Sequence, residues 1–429
     1  AGELAPLIRH ARMKALICGE ATEGYDAPST ALGLRSELPT LEHVCVLGDS
    51  VPDGCLSLQA MIEEGPDDPI DRKPQADDNV LLFYTSGTAA APKGVVSSHR
   101  RFVSNARTYG KTIGLSSDDV VMLVPAFTHV FGTAVTDFAL CAGATNLLIE
   151  RFTPRAMLER IQIGRPTMLF CAPAHLAATL KTGLLPSHDC SSIRYTITGG
   201  ALCPPAVARA FEDSLPNGRV GQLFGMTEVL LAAQTPMDAG PEVRHYSVGH
   251  PLEGLEMRAS IDDRTACAAG EEGELQVRGY TVLAGYLDNE EANRIAFTDD
   301  GWFKTGDLAV LDEDGNVIVT GRVKDVINRG GVKINPTDIE NAVTAHEKVI
   351  QAAVVSEPDD VLGERCCLFV ELIPGADMRL EEVTEWLAAN GIAKMRWPER
   401  LEVVDEMPMT PTRKILKREL SKRLESALA

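Results

Sequence analysis

The chain has 429 residues, of which 45% are hydrophobic and 24% charged, and carries a formal net charge of −20. Its length exceeds the ~100–200 residues of one domain, so two or more are expected, with ample apolar material for a large core. So acidic a chain is ill suited to nucleic acid or an anionic membrane surface as its main partner, which excludes those function classes first.

In chain order, the opening residues read as a helix followed by a strand, Lys14–Cys18. Strands are then expected at Asn79–Tyr84, Asp119–Pro125, Ala144–Glu150, Thr167–Ala172 and Tyr195–Thr198. Helical patterns such as Arg155–Ile163 and Ala206–Asp213 fall between them. This alternation predicts parallel sheets with helices on their faces. From about residue 250 to 320 turn signals crowd together, as in Asp314-Gly315-Asn316, around short strands at Glu274–Arg278 and Val317–Thr320. That region reads as antiparallel and barrel-like. Beyond Arg322–Lys324 a smaller unit is expected, with strands Ala352–Ser356 and Cys366–Glu371 and a helix at Leu380–Ala389. A terminal helix is expected to start near Lys414. No apolar run reaches the ~18 residues that suggest a membrane-spanning helix. Ten scattered cysteines, without a C-x-x-C pair or zinc spacing, suit reduced, mostly buried thiols in a cytoplasmic protein.

Four segments carry chemistry. Leu81–Val95 runs from a strand into a loop with Thr85, Ser86, Gly87 and Thr88, then Pro92-Lys93-Gly94. Hydroxyls, loop N–H groups and a lysine suit a triphosphate, although a plain strand–turn has the same composition. It is not a Walker loop, because Pro92 and Gly94 stand where that motif needs Gly and Ser or Thr. Gly221–Glu228 sets Phe224, Gly225, Met226 and Thr227 before Glu228. Phe224 could stack on a base and Glu228 is a hard oxygen ligand suited to Mg2+. A strand end followed by a helix-capping Thr-Glu is the alternative. Asp307, in Gly301–Asp307, and Arg322, in Gly321–Gly331, have the chemistry to hold a ribose, or are a turn Asp and a surface Arg. Met407–Lys417 presents Lys414 at an expected helix start, where a cation is disfavoured by the helix dipole.

In this order and spacing the four segments resemble the acyl-adenylate-forming superfamily of acyl- and aryl-coenzyme A ligases, firefly luciferase and peptide-synthetase adenylation domains. The match runs from about residue 80 to 420 and lies nearest the acyl-coenzyme A synthetases. The resemblance implies an α/β fold. Residues 1–322 would form a large domain of parallel-type sheets plus the barrel-like region, and 323–429 a small mobile α+β domain. Relatives usually carry more chain before the equivalent of Ala1, so part of the first lobe is expected to be absent.

The resemblance also implies roles. Thr85–Lys93 becomes the phosphate loop. Gly199, Gly200, Ala201 and Phe224–Thr227 wall the adenine and acyl-adenylate. Glu228 holds Mg2+ with Thr88, and Asp307 and Arg322 hold the ribose. Lys414 contacts the α-phosphate and carboxylate, and His129 seats the carboxylate. Lys324 is the hinge, and Gly330 and Gly331 flank the channel for the pantetheine arm. Phe127, Phe131, Cys171, Ala172 and Gly199 line an apolar acyl pocket. ATP, Mg2+ and coenzyme A are the expected cofactors. A small carboxylic acid is the expected partner, with an acyl carrier protein as the alternative thiol donor. Val130 stands where peptide-synthetase relatives carry the Asp that pairs an amine, so an α-amino acid is disfavoured. Three departures from the family pattern concern motion and phosphate contacts. Ala89 lacks a hydroxyl, Ala90 lacks the freedom of Gly, and Arg413 replaces the usual Gly before the lysine.

Overall fold

The computed structural model describes residues 2–65, 71, 73–85, 92–410 and 414–428, without the side chains of 425–428. The chain divides into two compact units, Ala1–Gly94 and Val95–Ala429. In the first, strands Ala15–Gly19, His43–Leu47 and Leu56–Ser57 form a parallel three-stranded sheet. Helices Leu4–Ala11 and Ala27–Glu37 bring Ile8 and Leu34 together with Leu38 and Leu41 as its core. Asp26 starts the second helix by accepting the Ser29 N–H at 2.9 Å, an N-cap bond that satisfies an otherwise orphaned donor.

The second unit is built on a seven-stranded sheet. Its order is His250–Pro251, Leu230–Gln234, Arg219–Met226, Tyr195–Thr198, Met168–Cys171, Val120–Leu123 and Thr145–Leu148. The last five strands of that order are parallel, and Leu230–Gln234 pairs antiparallel with its neighbours on both sides. The four inner parallel strands are completely or mostly buried, as expected when helices cover both faces, while the edge strand Thr145–Leu148 buries only Leu147. One core layer packs Met122, Leu169, Cys171 and Val220 against helices Pro154–Gly164, Pro173–Lys181 and Pro205–Asp213 through Met157, Leu158, Ile161, Leu176, Ala208 and Phe211. Thr145–Leu148 lies on one side of Val120–Leu123 and the later strands on the other. The strand order therefore reverses at Val120–Leu123, the place where open α/β sheets leave a crevice beyond the strands' carboxyl ends.

An antiparallel meander of Leu255–Ser260, Glu272–Gly279, Phe303–Leu311 and Val317–Arg322 follows. Its last two strands set Asp307 directly opposite Arg322. A five-stranded sheet then carries Val332–Ile334, Ile327–Arg329, Gly363–Leu372, Val349–Asp359 and Arg400–Val404. Its faces alternate strictly. Val354, Cys366 and Leu368 pack on helices Pro336–Thr344 and Leu380–Ala389, while Val355, Cys367 and Phe369 pack on Leu420 and Leu424 of helix Lys417–Leu428. The adjacent Cys366 and Cys367 thus face opposite cores, the alternation of a strand buried on both sides. Burial pushes both thiols up to about 12, which leaves them inert. Gly330 and Gly331 form a two-residue hairpin turn with φ of 57° and 90°, a left-handed pair that glycine takes without steric cost.

The terminal helix begins at Lys417 and not near Lys414. Lys414 instead lies inside the loop closed by the strand-like bridge of Met409 with Ile415. There the Thr410 N–H donates to the Lys414 carbonyl at 2.8 Å, and the Lys414 N–H to the Thr410 hydroxyl at 3.0 Å. The lysine is therefore outside the helix dipole that made its sequence position unfavourable.

Candidate active site

The chemistry-bearing residues of the second unit collect where the parallel strands end. His129 follows Val120–Leu123, Gly199 and Gly200 follow Tyr195–Thr198, and Glu228 follows Arg219–Met226. Three segments distant in sequence thus lie along one edge because their strands run parallel in the same sheet.

His129 is the N-cap of helix Val130–Ala142, and its Nδ1 accepts the Phe131 N–H at 3.2 Å. With Nδ1 accepting, the ring proton lies on Nε2. Burial first, and the Lys414 cation second, pull this imidazole down to about 4, so it is neutral at ordinary pH. Glu228 is buried, and the Tyr286 hydroxyl donates to its Oε1 at 3.0 Å. Burial and the adjacent carboxylate hold the Tyr286 proton far above its ordinary pKa, so the phenol stays a donor.

Asp307 and Arg322 form an ion pair of 3.0 Å across the meander. Burial pushes the Asp307 carboxyl up from its ordinary value, with Arg322 and Lys414 opposing. Lys414 crosses to this group from the C-terminal region. Its Cε is 3.7 Å from where a Cβ on Gly200 would stand, so a side chain at that position would touch it. Burial and then Arg322 lower the Lys414 pKa, while Asp307 and Glu228 raise it. One ammonium therefore feels both carboxylates, the guanidinium and the imidazole of the expected site.

The expected acyl-pocket residues divide. Phe131 and Gly199 meet, since a Cβ on Gly199 would lie 3.3 Å from the Phe131 ring and 2.7 Å from Leu223. Phe131 continues into Phe170 at 6.4 Å between centroids, and Phe170 into Phe138 at 5.1 Å. Ala172 is buried at the end of its strand, and Cys171 points into the helix-covered core on the far side of the sheet. Phe127 is 55% exposed. Phe224 is buried and paired with Ala233, and Thr227 is also buried. Gly225 sits at a register shift where a Cβ would lie 2.5 Å from the Leu230 carbonyl, so only glycine fits there. Met226 ends that strand, and Ala201 is exposed.

Thr85 ends strand Asn79–Thr85 and Lys93 opens strand Lys93–Ser98. The candidate phosphate-loop residues Ser86, Gly87 and Thr88 lie outside the described residues, as do Ala89, Ala90 and Arg413. Lys324 sits in a short turn of helix, Val323–Asp325, between Val317–Arg322 and Ile327–Arg329. Burial lowers its pKa, and the next residue, Asp325, opposes that shift. Lys181 on helix Pro173–Lys181 donates to the Val349 carbonyl at 2.9 Å, a contact between the large sheet's helical layer and the C-terminal sheet. Burial lowers its pKa to about 8.

Sequence reasoning missed Arg101 and Tyr286. Arg101 is buried, and its Nη2 donates to the carbonyls of Thr227 at 3.0 Å and Glu228 at 2.7 Å. Both residues belong to ordinary-looking stretches, Ser98-His-Arg-Arg101 and Ala284-Gly-Tyr286, that acquire meaning only when folded against Glu228.

Two family models match the chain: AMP-binding enzyme over residues 1–287 and AMP-binding enzyme C-terminal domain over residues 338–414. The chain is 33% identical to a 2-hydroxy-7-methoxy-5-methyl-1-naphthoate–CoA ligase of Streptomyces carzinostaticus, over 97% of this chain and 77% of that protein. It is 34% identical to a salicyl-AMP ligase / salicyl-S-ArCP synthetase of Mycobacterium tuberculosis, over 99% of this chain and 75% of that one. The crystal structure of ATP-bound MatB from Rhodopseudomonas palustris matches with a TM-score of 0.88 at 27% identity, covering all of this chain and 82% of the other. The chain therefore belongs to the AMP-binding enzyme family, among the acyl-adenylate-forming enzymes close to the acyl-coenzyme A synthetases.

Proposed function

We propose that this protein is an AMP-forming acid–thiol ligase that activates an apolar, preferably aromatic, carboxylic acid with ATP and transfers the acyl group to coenzyme A. The observation that carries this is the convergence of Lys414 on Asp307, Glu228, His129 and Gly200. The chemical problem is repulsion, since a carboxylate must attack the α-phosphorus of ATP and both reactants are anions. In the first step a substrate carboxylate oxygen bonds to that phosphorus, the bond to the β-phosphate oxygen breaks, and pyrophosphate leaves with its electron pair. The Lys414 ammonium offsets the charge that builds on the α-phosphate. The Nε2–H of neutral His129 donates to the acid and orients it. Asp307 accepts from the ribose hydroxyls, and Arg322, paired with it at 3.0 Å, opposes the rise that burial gives its carboxyl.

Glu228 fits a Mg2+ site, because it is a buried carboxylate oriented by a phenol, a hard donor that leaves room for phosphate and water oxygens. When bound, that ion would neutralise phosphate charge and stabilise the leaving pyrophosphate. In the second step the thiol sulfur attacks the acyl carbon, AMP leaves, and the thiol proton goes to solvent. Lys414 occupies the place the thiol must enter. Residues 323–429 therefore form a small domain that turns about Lys324 between the steps, with Gly330 and Gly331 flanking the pantetheine path.

The apolar neighbourhood of Phe131, Gly199, Leu223 and Phe170 supports an apolar acyl group. The naphthoate and salicyl names of the relatives favour an aryl acid within that class. One of those names also supports a second thiol donor, the phosphopantetheine of an aryl carrier protein. The test is pyrophosphate release with Mg-ATP over a panel of aryl, alicyclic and aliphatic acids, with and without coenzyme A. Release that depends on one acid and consumes coenzyme A is expected. Acid-dependent release that ignores coenzyme A selects the carrier-protein reading, and release indifferent to every acid overturns the proposal.

A further inference from the structure

We propose that Arg101 and Tyr286 are a positioning pair that fixes the Glu228 turn from behind, so that the Glu228 carboxylate is held ready for a divalent cation on the nucleotide phosphates. This rests on the reading of Glu228 as the metal ligand and extends it to two residues with no role in the known chemistry.

Arg101 lies in the first turn of helix His99–Thr112, whose N-cap Ser98 accepts the Arg101 N–H at 3.2 Å. Its side chain is 6% exposed. Nε donates to the Thr281 carbonyl at 2.6 Å, Nη1 to the Ser97 hydroxyl, and Nη2 to the Thr227 and Glu228 carbonyls at 3.0 and 2.7 Å. One guanidinium thus joins the helix start, the turn that carries Glu228 and the segment at Thr281. Its hydrogen-bond acceptors are carbonyls and a hydroxyl, not a carboxylate. A charge buried on such partners is a costly way to gain stability, since an apolar side chain would fill the same space without desolvation. What the guanidinium supplies that an apolar group cannot is geometry, a rigid fork that fixes two successive carbonyls.

The segment on the other side completes the clamp. The Leu283 N–H donates to the Glu228 carbonyl at 2.8 Å, and the Tyr286 hydroxyl donates to Oε1 at 3.0 Å. Tyr286 is itself tied down, bridging to Val95 and donating its N–H to the Asn293 side chain at 2.6 Å. Backbone and carboxylate of Glu228 are therefore held from independent directions. The turn also contains Leu230, which takes a left-handed φ of 56°, a strained conformation for a bulky side chain. Such strain persists where the surroundings over-determine the backbone. With the clamp loosened, the turn has a reason to relax and carry Glu228 away.

Partners that orient a metal ligand are typically worth roughly 10- to 100-fold in metal affinity. The test compares Arg101→Met, Arg101→Lys, Tyr286→Phe and Glu228→Gln with the parent enzyme by two measurements. One is Mn2+ affinity by electron paramagnetic resonance in the presence of a non-hydrolysable ATP analogue, and the other is the Mg2+ concentration that half-saturates pyrophosphate release. Arg101→Met should weaken Mn2+ binding about tenfold and Tyr286→Phe by roughly threefold or more. Both should leave the KM for the acid unchanged, and Arg101→Lys should recover part of the loss. If Arg101→Met does not fold, Tyr286→Phe carries the test alone. Folded variants with parental Mn2+ affinity overturn the proposal, even if they melt at lower temperature. Glu228→Gln separates the two levels. If it keeps parental affinity, the reading of Glu228 and the proposal fall together, and if it loses affinity while the others do not, the proposal alone falls.

Discussion

At the scale of single residues, one lysine organises the site. Lys414 is coupled electrostatically to Asp307, Glu228, Arg322 and His129, so under the proposed adenylation chemistry Lys414→Ala should slow pyrophosphate release by about 10²–10³-fold. Thioester formation from supplied acyl-adenylate should persist, since in the proposed second step the lysine has withdrawn, and comparing the two half-reactions checks this. The pH dependence follows from the same cluster. His129 has a folded pKa of about 4, below its ordinary value, so its neutral form is kept as pH falls through 6.5. The kcat/KM of adenylation should show no acid limb near 6.5 from this residue. Lys414 has a lowered pKa, so the free enzyme loses its charge before an ordinary lysine would. The alkaline limb of kcat/KM should therefore fall below the ordinary lysine value and vanish in Lys414→Ala, a profile that titration of the rate measures directly. Asp307, Glu228 and Lys414 stand in segments the sequence singles out, and His129 was reached only through the family resemblance. Arg101 and Tyr286 were legible in neither way, because a buried arginine that bonds to carbonyls and one hydroxyl leaves no pattern in its own neighbours.

At the scale of elements, strand identity and order of motifs were readable, while their ends and roles in space were not. Helix Leu380–Ala389 and strand Tyr195–Thr198 fall where periodicity put them. The terminal helix starts at Lys417, because the segment before it forms a bridged loop through Met409 and Ile415. That pairing is a tertiary event which no local signal announces. Likewise the strand period could not say which face of the Met168–Cys171 strand meets the acyl group. Alternation put Cys171 on one face and Phe170 on the other, and both are fully buried, Cys171 against Met157, Leu158 and Ile161 and Phe170 against Phe131 and Phe138. The short turn of helix at Lys324 links the two sheets on either side of the proposed hinge. Lys324→Pro fixes φ there. The variant should adenylate within about twofold of the parent and transfer to coenzyme A roughly tenfold more slowly, if rotation limits the second step. Stopped-flow half-reactions would show this, and equal losses in both would count against the hinge.

At the scale of the whole molecule, a formal charge of −20 surrounds a site that must take up a polyanion. The positive charge near the site is local, supplied by Lys414 and Arg322, while the far field opposes ATP. Screening weakens that field as ionic strength rises toward 0.15 M. The kcat/KM for Mg-ATP should therefore rise, by roughly twofold, between low salt and that value. Once the far field is screened, further salt should lower it, as the short-range contacts weaken in turn. A monotonic fall from the lowest salt, measured at fixed free Mg2+, would show that local cations dominate at every distance.

The sequence by itself determined the alternation of strands and helices, the family, and the residue types of the site. Periodicity, turn chemistry and motif order are local, and the chain carries them openly. Tertiary structure alone decided which of those residues meet. The reversal of strand order at Val120–Leu123 gathers His129, Gly200 and Glu228 at one edge, and a meander register sets Asp307 against Arg322. Lys414 arrives from a loop near the C-terminal helix, and Arg101 closes behind Glu228 across 127 residues of chain. Such encounters depend on long-range pairing and on the burial that perturbs each group, and these come into being only when the chain is folded.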